Sequence, residues 1–280
     1  MYLALAALVA SLAAQAGAPR TSATPPIVSN DWLQQHLSDP NVHVIVTGDL
    51  GRYNRAHIPG ARFIDHEATV GPDHRLLAPS VLAAALAKAG AADGAHIVLY
   101  GDSPMTTGWL FMAFASIGHG DNVSMLEAGI DAWQSEKRAV STMAPAAATS
   151  TFTPKAAPEV IVDAPWMKTR LESPAVRVLD VRTTGEWNGG HLPGATLILW
   201  QDLFGNLETQ KLKSLDEIRA LLARAGVQTG QRVVTYCAVG MRASLMYWAA
   251  RAVGVPASVY VGSYQDWQRD SSNPIVRGPG

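Results

Sequence analysis

One cysteine occurs in 280 residues, and its setting decides what chemistry the chain is equipped for. Cys237 opens the run Cys237-Ala238-Val239-Gly240-Met241-Arg242, directly after the strand-length apolar stretch Arg232-Val233-Val234-Thr235-Tyr236 and just ahead of a helical apolar pattern. On composition alone a lone free cysteine reads as a small, inert, buried hydrophobe. A six-residue strand-to-helix loop changes that reading. Gly240 is free to take a backbone conformation that other residues avoid, so a tight loop turns successive N–H groups toward its centre. Those amides, with the positive end of the following helix, form an anion site that favours the thiolate, the nucleophilic form of the residue. Arg242 closes the loop with a cation whose planar fork suits the oxygens of a sulfonate, carboxylate or phosphate. Position and pairing make Cys237 a candidate nucleophile.

In an α/β sheet ligands bind beyond the carboxyl ends of the strands, which is the place Cys237 would occupy. The flanking sequence has the form of such a sheet. In the second half, residues 176–181 read as a buried strand and Ser214 opens a helix through a capping box with Glu217; residues 232–236 form a strand, 243–253 a helix and 257–261 a further strand. The first half matches with strands at 42–46, 96–100 and 123–126 and helices at 80–88 and 106–117. Strands alternating with helices imply a mostly parallel sheet flanked by helices. The two halves are also related: Tyr53-Asn54-Arg55-Ala56-His57-Ile58-Pro59-Gly60-Ala61 lies opposite Trp187-Asn188-Gly189-Gly190-His191-Leu192-Pro193-Gly194-Ala195, and 76 residues separate His57 from Trp133 as they do His191 from Trp267. An Ala/Ser/Thr/Pro-rich stretch lies between them. The expected organisation is a domain at 24–140, a linker at 141–158 and a second domain at 159–278.

Other classes find little support. A formal net charge of -1 without a basic cluster gives no footprint for nucleic acid. The eight histidines show no metal-ligand spacing, no glycine-rich nucleotide pattern follows a strand, and neither a metal nor a cofactor is implied. Residues 3–14 form an apolar run too short to cross a bilayer and followed by small residues, which reads as a signal peptide over residues 1–18. Periplasmic or secreted location is therefore expected; because no Lys or Arg precedes the run, an Ala-rich N-terminal helix of a cytoplasmic protein is the alternative.

The second half resembles a catalytic rhodanese domain. The matching residues are Asp180-Val181-Arg182 with Glu186, the block Gly190-His191-Leu192-Pro193-Gly194-Ala195, the Cys237-to-Arg242 loop and the closing Gly262-Ser263-Tyr264-Gln265-Asp266-Trp267. The first half resembles the inactive partner domain of tandem rhodaneses: it keeps the His-Ile-Pro-Gly-Ala block and Glu127-Ala128-Gly129-Ile130-Asp131-Ala132-Trp133, has Tyr100-Gly101-Asp102 where the cysteine would fall, and lacks the Asp-x-Arg segment. The resemblance implies an α/β fold of two rhodanese-like domains, the first a scaffold walling one side of the site. It implies sulfur transfer from thiosulfate to cyanide or a thiol through a Cys237 persulfide. Arg242 and Arg182 would bind the donor's charged group, and the amides of Ala238, Val239, Gly240 and Met241, together with that of Arg242, would steady the persulfide. Asp180 and Glu186 would support them. Arg182 has a second reading, in which it pairs with Glu186 or Asp180 and stiffens the strand end. His191, matched by His57 in the inactive half, reads as a structural histidine.

The loop departs from familiar versions of the family. Ala238 and Val239 stand where many thiosulfate enzymes carry basic residues, and the ending Gly240-Met241-Arg242 differs from the Gly-Val-Thr of mercaptopyruvate-using relatives. The terminal Arg favours thiosulfate, with 3-mercaptopyruvate as alternative donor. Phosphatases of this fold need five residues between Cys and Arg, and here there are four. A persulfide carrier without turnover would show the same loop. The partners expected are a small-molecule donor and acceptor.

Overall fold

Short Val- and Ile-rich runs, each followed by a helical segment, fold into two sheets of the same design in the computed structural model, which describes residues 24–278 apart from positions 149 and 158. The expected signal segment lies outside the described residues. The first sheet contains β1 (Ile27–Val28), β2 (Val42–Thr47), β3 (Arg62–Phe63), β4 (His96–Gly101) and β5 (Val123–Leu126) in the order β1-β5-β4-β2-β3, all parallel. Helices α1 (Asn30–His36), α2 (Leu50–Arg55), α3 (Pro79–Lys88), α4 (Pro104–Ser116) and α5 (Ile130–Ser135) cover it. The second sheet contains β6 (Ile161–Val162), β7 (Val176–Asp180), β8 (Thr196–Leu197), β11 (Arg232–Tyr236) and β12 (Ala257–Tyr260), ordered β6-β12-β11-β7-β8 and again parallel. Between β8 and β11 an antiparallel hairpin forms from β9 (Phe204–Asn206) and β10 (Lys211–Leu212). Helices α6 (Ala164–Lys168), α7 (Thr184–Gly189), α8 (Leu215–Arg224), α9 (Met241–Ala252) and α10 (Ser263–Trp267) complete this half.

The expected strands and helices stand where the apolar patterns put them, with shifts of one or two residues at their ends. Helix α4 starts at Pro104 because a proline at the first helical turn sacrifices no hydrogen bond. The Ser214–Glu217 capping box is present in full, and a second one joins Thr183 and Glu186 at the start of α7. The central strands bury both faces, which is why they read as unbroken apolar runs rather than alternating ones.

Helix α4 is apolar on nearly all sides and α9 is buried on all sides from Ala243 to Ala250, and they cross each other at the junction of the halves. Gly108 makes the crossing possible: a Cβ there would stand 2.6 Å from the Leu245 Cα. Arg251 Nη2 reaches Asp121 Oδ1 at 3.1 Å across the same junction. The segment expected as linker is tied down along part of its length. Phe152 is buried between Phe114 and His119, Thr153 bonds the Asp93 carboxylate through N–H (3.0 Å) and hydroxyl (2.7 Å), and Lys155 N–H donates to Ile117 O at 2.9 Å. Among the described residues no helix is long and apolar enough to cross a membrane.

Candidate active site

Strand β11 ends at Tyr236 and delivers Cys237 to the carboxyl edge of the second sheet. Gly240 then turns the chain with φ 95°, a left-handed value that suits glycine, and α9 begins at Met241. The turn brings the Gly240 N–H onto the Cys237 sulfur at 3.1 Å. Three further bonds tie the loop to the first turn of α10: Cys237 N–H donates to Ser263 Oγ (3.1 Å), and the carbonyls of Cys237 and Ala238 accept from Tyr264 N–H (3.0 Å) and Gln265 N–H (3.2 Å). Ser263 holds φ 56°, costly for a residue with a side chain, while its hydroxyl donates to Tyr260 O at 2.9 Å. Cys237 thus faces its own loop amide, yet the residue is 0% exposed.

Arg242 is the second residue of α9. Its two terminal nitrogens bond the Glu186 carboxylate side by side, Nη1 to Oε2 at 2.8 Å and Nη2 to Oε1 at 2.7 Å. The hydrogen bonds to Glu186, and after them the charge of the neighbouring Cys237 sulfur, hold the guanidinium's pKa above its ordinary value against the opposing effect of burial. Glu186 is in turn lowered to about 2, chiefly by Arg242 and then by the N–H and hydroxyl of Thr183. A capping box therefore serves two ends: it starts α7 and aims a carboxylate that fixes the loop cation.

Arg182 stands elsewhere than the donor-binding reading requires. It is 2% exposed; Nε bonds Asp180 Oδ1 (2.9 Å) and Oδ2 (3.1 Å), and Nη2 bonds Asp180 Oδ2 (2.6 Å) and Gly190 O (2.7 Å). The Tyr264 ring covers it at 4.1 Å, and the Tyr236 hydroxyl donates to Asp180 Oδ2 at 2.6 Å while accepting from Leu192 N–H at 3.1 Å. Burial pushes the Tyr236 hydroxyl's pKa up, with Asp180 adding to it, so it remains a donor. The second reading of Arg182 is the one the geometry fits: it pairs with Asp180 and braces the strand end, because a buried guanidinium finds its partners inside the fold. His191 and His57 have the same structural character. Each ring stacks on an aromatic neighbour, Trp187 (3.4 Å) or Tyr53 (4.0 Å), and each has Nδ1 on a backbone carbonyl.

The first domain contributes a wall. Trp109 of α4 comes within 3.5 Å of where a Cβ on Gly240 would lie, and its indole N–H is held by Thr69 Oγ1 at 2.9 Å. A depression beside the loop is lined by Val239, Gln265, Asp266 and Arg269 from the second domain and by His74 and Arg75 from the first. Neither Trp109, Ser263 nor the two residues at 74 and 75 were singled out from the sequence. Ser263 alone carried a signal, as the residue after Gly262 in the closing motif; the reach of the first domain becomes visible only in the packing.

The first domain's own crevice is built the same way and filled. Tyr100 pairs with Val46 as Tyr236 pairs with Asp180, so Val46 and Gly48 occupy the places of Asp180 and Arg182, and Gly101 that of Cys237. Gln210 Nε2 donates to Asp102 O (3.1 Å) and Leu212 N–H to Glu127 O (3.1 Å), which plugs the crevice with the β9–β10 hairpin. Among the described residues no cluster of His, Cys, Asp and Glu is arranged to hold a metal ion.

Comparison with known proteins agrees with this geometry. The family model for the rhodanese-like domain matches twice, over residues 29–136 and 163–270. The 3-mercaptopyruvate sulfurtransferase of Escherichia coli strain K12 is 25% identical, over 89% of this chain and 96% of the relative. The thiosulfate sulfurtransferase of Azotobacter vinelandii is 26% identical, over 90% and 97%. In fold, the crystal structure of SseA from Escherichia coli superposes with a TM-score of 0.74 at 24% identity, covering 86% of this chain and 99% of that one.

Proposed function

The chain belongs to the rhodanese-like domain family, and from that premise we propose that it takes a sulfane sulfur from thiosulfate onto Cys237 and passes it to cyanide or a thiol. The observation that carries the reading is the Gly240 N–H at 3.1 Å from the Cys237 sulfur, beside a guanidinium that Glu186 holds in place. In the first step the thiolate attacks the outer sulfur of the donor. The sulfur–sulfur bond of thiosulfate breaks, its electron pair leaves with sulfite, and a persulfide remains on Cys237. In the second step the acceptor attacks the outer persulfide sulfur and Cys237 departs as thiolate.

The difficulty is repulsion. Two unit negative charges 4 Å apart at an effective dielectric of 20 repel by ~4 kcal/mol, and a doubly charged donor raises this. A backbone dipole and a fixed cation next to the sulfur offset the repulsion without reorganising during the reaction. The terminal Arg242 of the loop supports thiosulfate as donor, as does the Azotobacter vinelandii relative by its name. The Escherichia coli relative's name supports 3-mercaptopyruvate as a second donor.

Mass spectrometry after exposure to each donor tests the reading: one added sulfur is expected on Cys237 and none in Cys237→Ser, whose fold is expected to persist. Sulfur uptake by Cys237→Ser at the parent level would defeat it. Export belongs to the same proposal, supported by the apolar run at residues 3–14 and the small residues after it. N-terminal sequencing of the mature protein is expected to begin near residue 17 or 19; an intact Met1 on cytosolic protein would refute it.

A further inference from the structure

Beside the Cys237 loop the two domains enclose a cleft of about 560 Å³. It shares Arg75, Val261 and Gly262 with the small depression at Val239 and Gln265. Val261 is also the residue whose carbonyl oxygen lies 2.9 Å from a Cβ built on Gly240, so one stretch of backbone walls both the cleft and the loop.

The lining is amphipathic. Leu76, Leu77 and Ile117 come from the first domain, and Ile161, Trp166 and Val261 from the second. Arg75 stands at the shared edge with its side chain 54% exposed. Its ion pair with Asp266 is 3.6 Å long, beyond hydrogen-bonding distance, and Asp266 already accepts from the Tyr260 hydroxyl at 2.8 Å. Arg75 is therefore placed to offer its fork to another carboxylate. Thiosulfate and cyanide have a few atoms each and no apolar surface, so neither uses such a space. A volume in the ~300–1,000 Å³ range, with apolar walls interrupted by Arg75, Ser116 and Asp163, fits an organic molecule that carries polar groups on an apolar body.

We propose that this cleft binds the sulfur acceptor, and that the acceptor is an organic thiol with an apolar or aromatic body and a carboxylate. The body lies against Trp166 and Ile161, and the carboxylate pairs with Arg75. This rests on the persulfide reading above. The thiol gives its proton to water, and its sulfur attacks the outer persulfide sulfur. The bond between the two persulfide sulfurs breaks with its electron pair going to Cys237, and the acceptor leaves as its own persulfide, so no outside oxidant or reductant is needed.

The test compares 4-mercaptophenylacetate with cyanide as acceptors for the full chain loaded from thiosulfate. In Trp166→Ala and in Arg75→Ala the thiol-to-cyanide ratio of kcat/KM is expected to fall about tenfold or more, equivalent to ~1.4 kcal/mol of lost contact. Phenylacetate, which lacks the sulfur, is expected to compete with the thiol in the parent protein. A ratio within about twofold of the parent in Arg75→Ala, an exposed position whose change spares the fold, overturns the proposal. If thiosulfate adds no sulfur to Cys237, the sulfurtransferase reading fails; if sulfur is added and cyanide removes it while the ratio holds, the cleft assignment alone fails.

Discussion

Arg182→Met keeps the hydrocarbon stem and removes a guanidinium that is 2% exposed. The bonds lost are Nε to both Asp180 oxygens and Nη2 to Asp180 Oδ2 and Gly190 O. Asp180, fully buried, then keeps the Tyr236 hydroxyl at 2.6 Å and the backbone N–H of residue 182 at 3.0 Å. Removing one member of a buried ion pair costs ~3–5 kcal/mol, and the two surviving hydrogen bonds to the carboxylate place the expected loss near the lower figure, ~3 kcal/mol. Asp180→Asn combined with Arg182→Met removes the stranded charge and is expected to recover about 1 kcal/mol or more. Urea unfolding of the second domain reads the stability, and thiosulfate-dependent turnover of the folded protein reads the site. With the guanidinium enclosed by Asp180, Gly190 and Tyr264, the KM for thiosulfate is expected to move by less than about threefold. Unchanged stability together with a rise in KM of about tenfold or more would refute the reasoning and return Arg182 to the donor site.

Gly240→Ala forces a side chain onto φ 95° and into Val261 O at 2.9 Å, so ~2–3 kcal/mol of stability is expected to be lost. Sulfur loading should slow by about tenfold as the Gly240 N–H leaves the sulfur, and parent-like loading would show that this amide plays no part. Glu186→Gln changes the response to acid. The folded carboxyl titrates near 2 rather than its ordinary 4.5, so its contribution is complete above pH 4.5 and disappears as the pH falls through about 2. Denaturant midpoints measured across that window should therefore fall less steeply in the variant; parallel curves would mean that the Arg242 pairing contributes nothing to stability.

The sheet, its two-fold repeat and the place of Cys237 were legible because each rests on local signals: unbroken apolar runs, a Gly in a six-residue loop, and equal spacing in the halves. What stayed hidden depends on contacts between distant segments. The strands β1, β3, β6 and β8 are two residues long, too short to show a period. The pairing of Arg242 with Glu186 joins residues 56 apart, and sequence alone left Arg182 with two partners and a substrate to choose among. Burial decided it. The guanidinium of Arg182, two residues past a buried strand end, is enclosed by Asp180, Gly190 and Tyr264, while that of Arg242, in the first turn of α9, remains at the loop rim, and no pattern of residue types separates the two.

The filled crevice of the first domain explains why one half of a duplicated fold carries the chemistry. His74 and Gln210 occupy corresponding turns, and both hold left-handed backbone, φ 56° and 55°. Each domain thus extends a segment into the other's crevice. Gln210 and Leu212 close the first, while His74 and Arg75 line a depression at the second. The charges have diverged as well. Glu186 follows Asp180 by six residues and holds a cation at the live loop; Arg52 follows Val46 by six and gathers carboxylates, Asp131 at 2.6 Å and Asp102 at 3.5 Å. A Cβ at Gly101 would meet Thr47 O and Thr107 Oγ1, both at 2.7 Å, so the first crevice has no space for a thiol and places Asp102 where an anionic donor would approach. Freed from catalysis, the first domain supplies Trp109 and Arg75 to the other site, and a single thiol suffices for the pair.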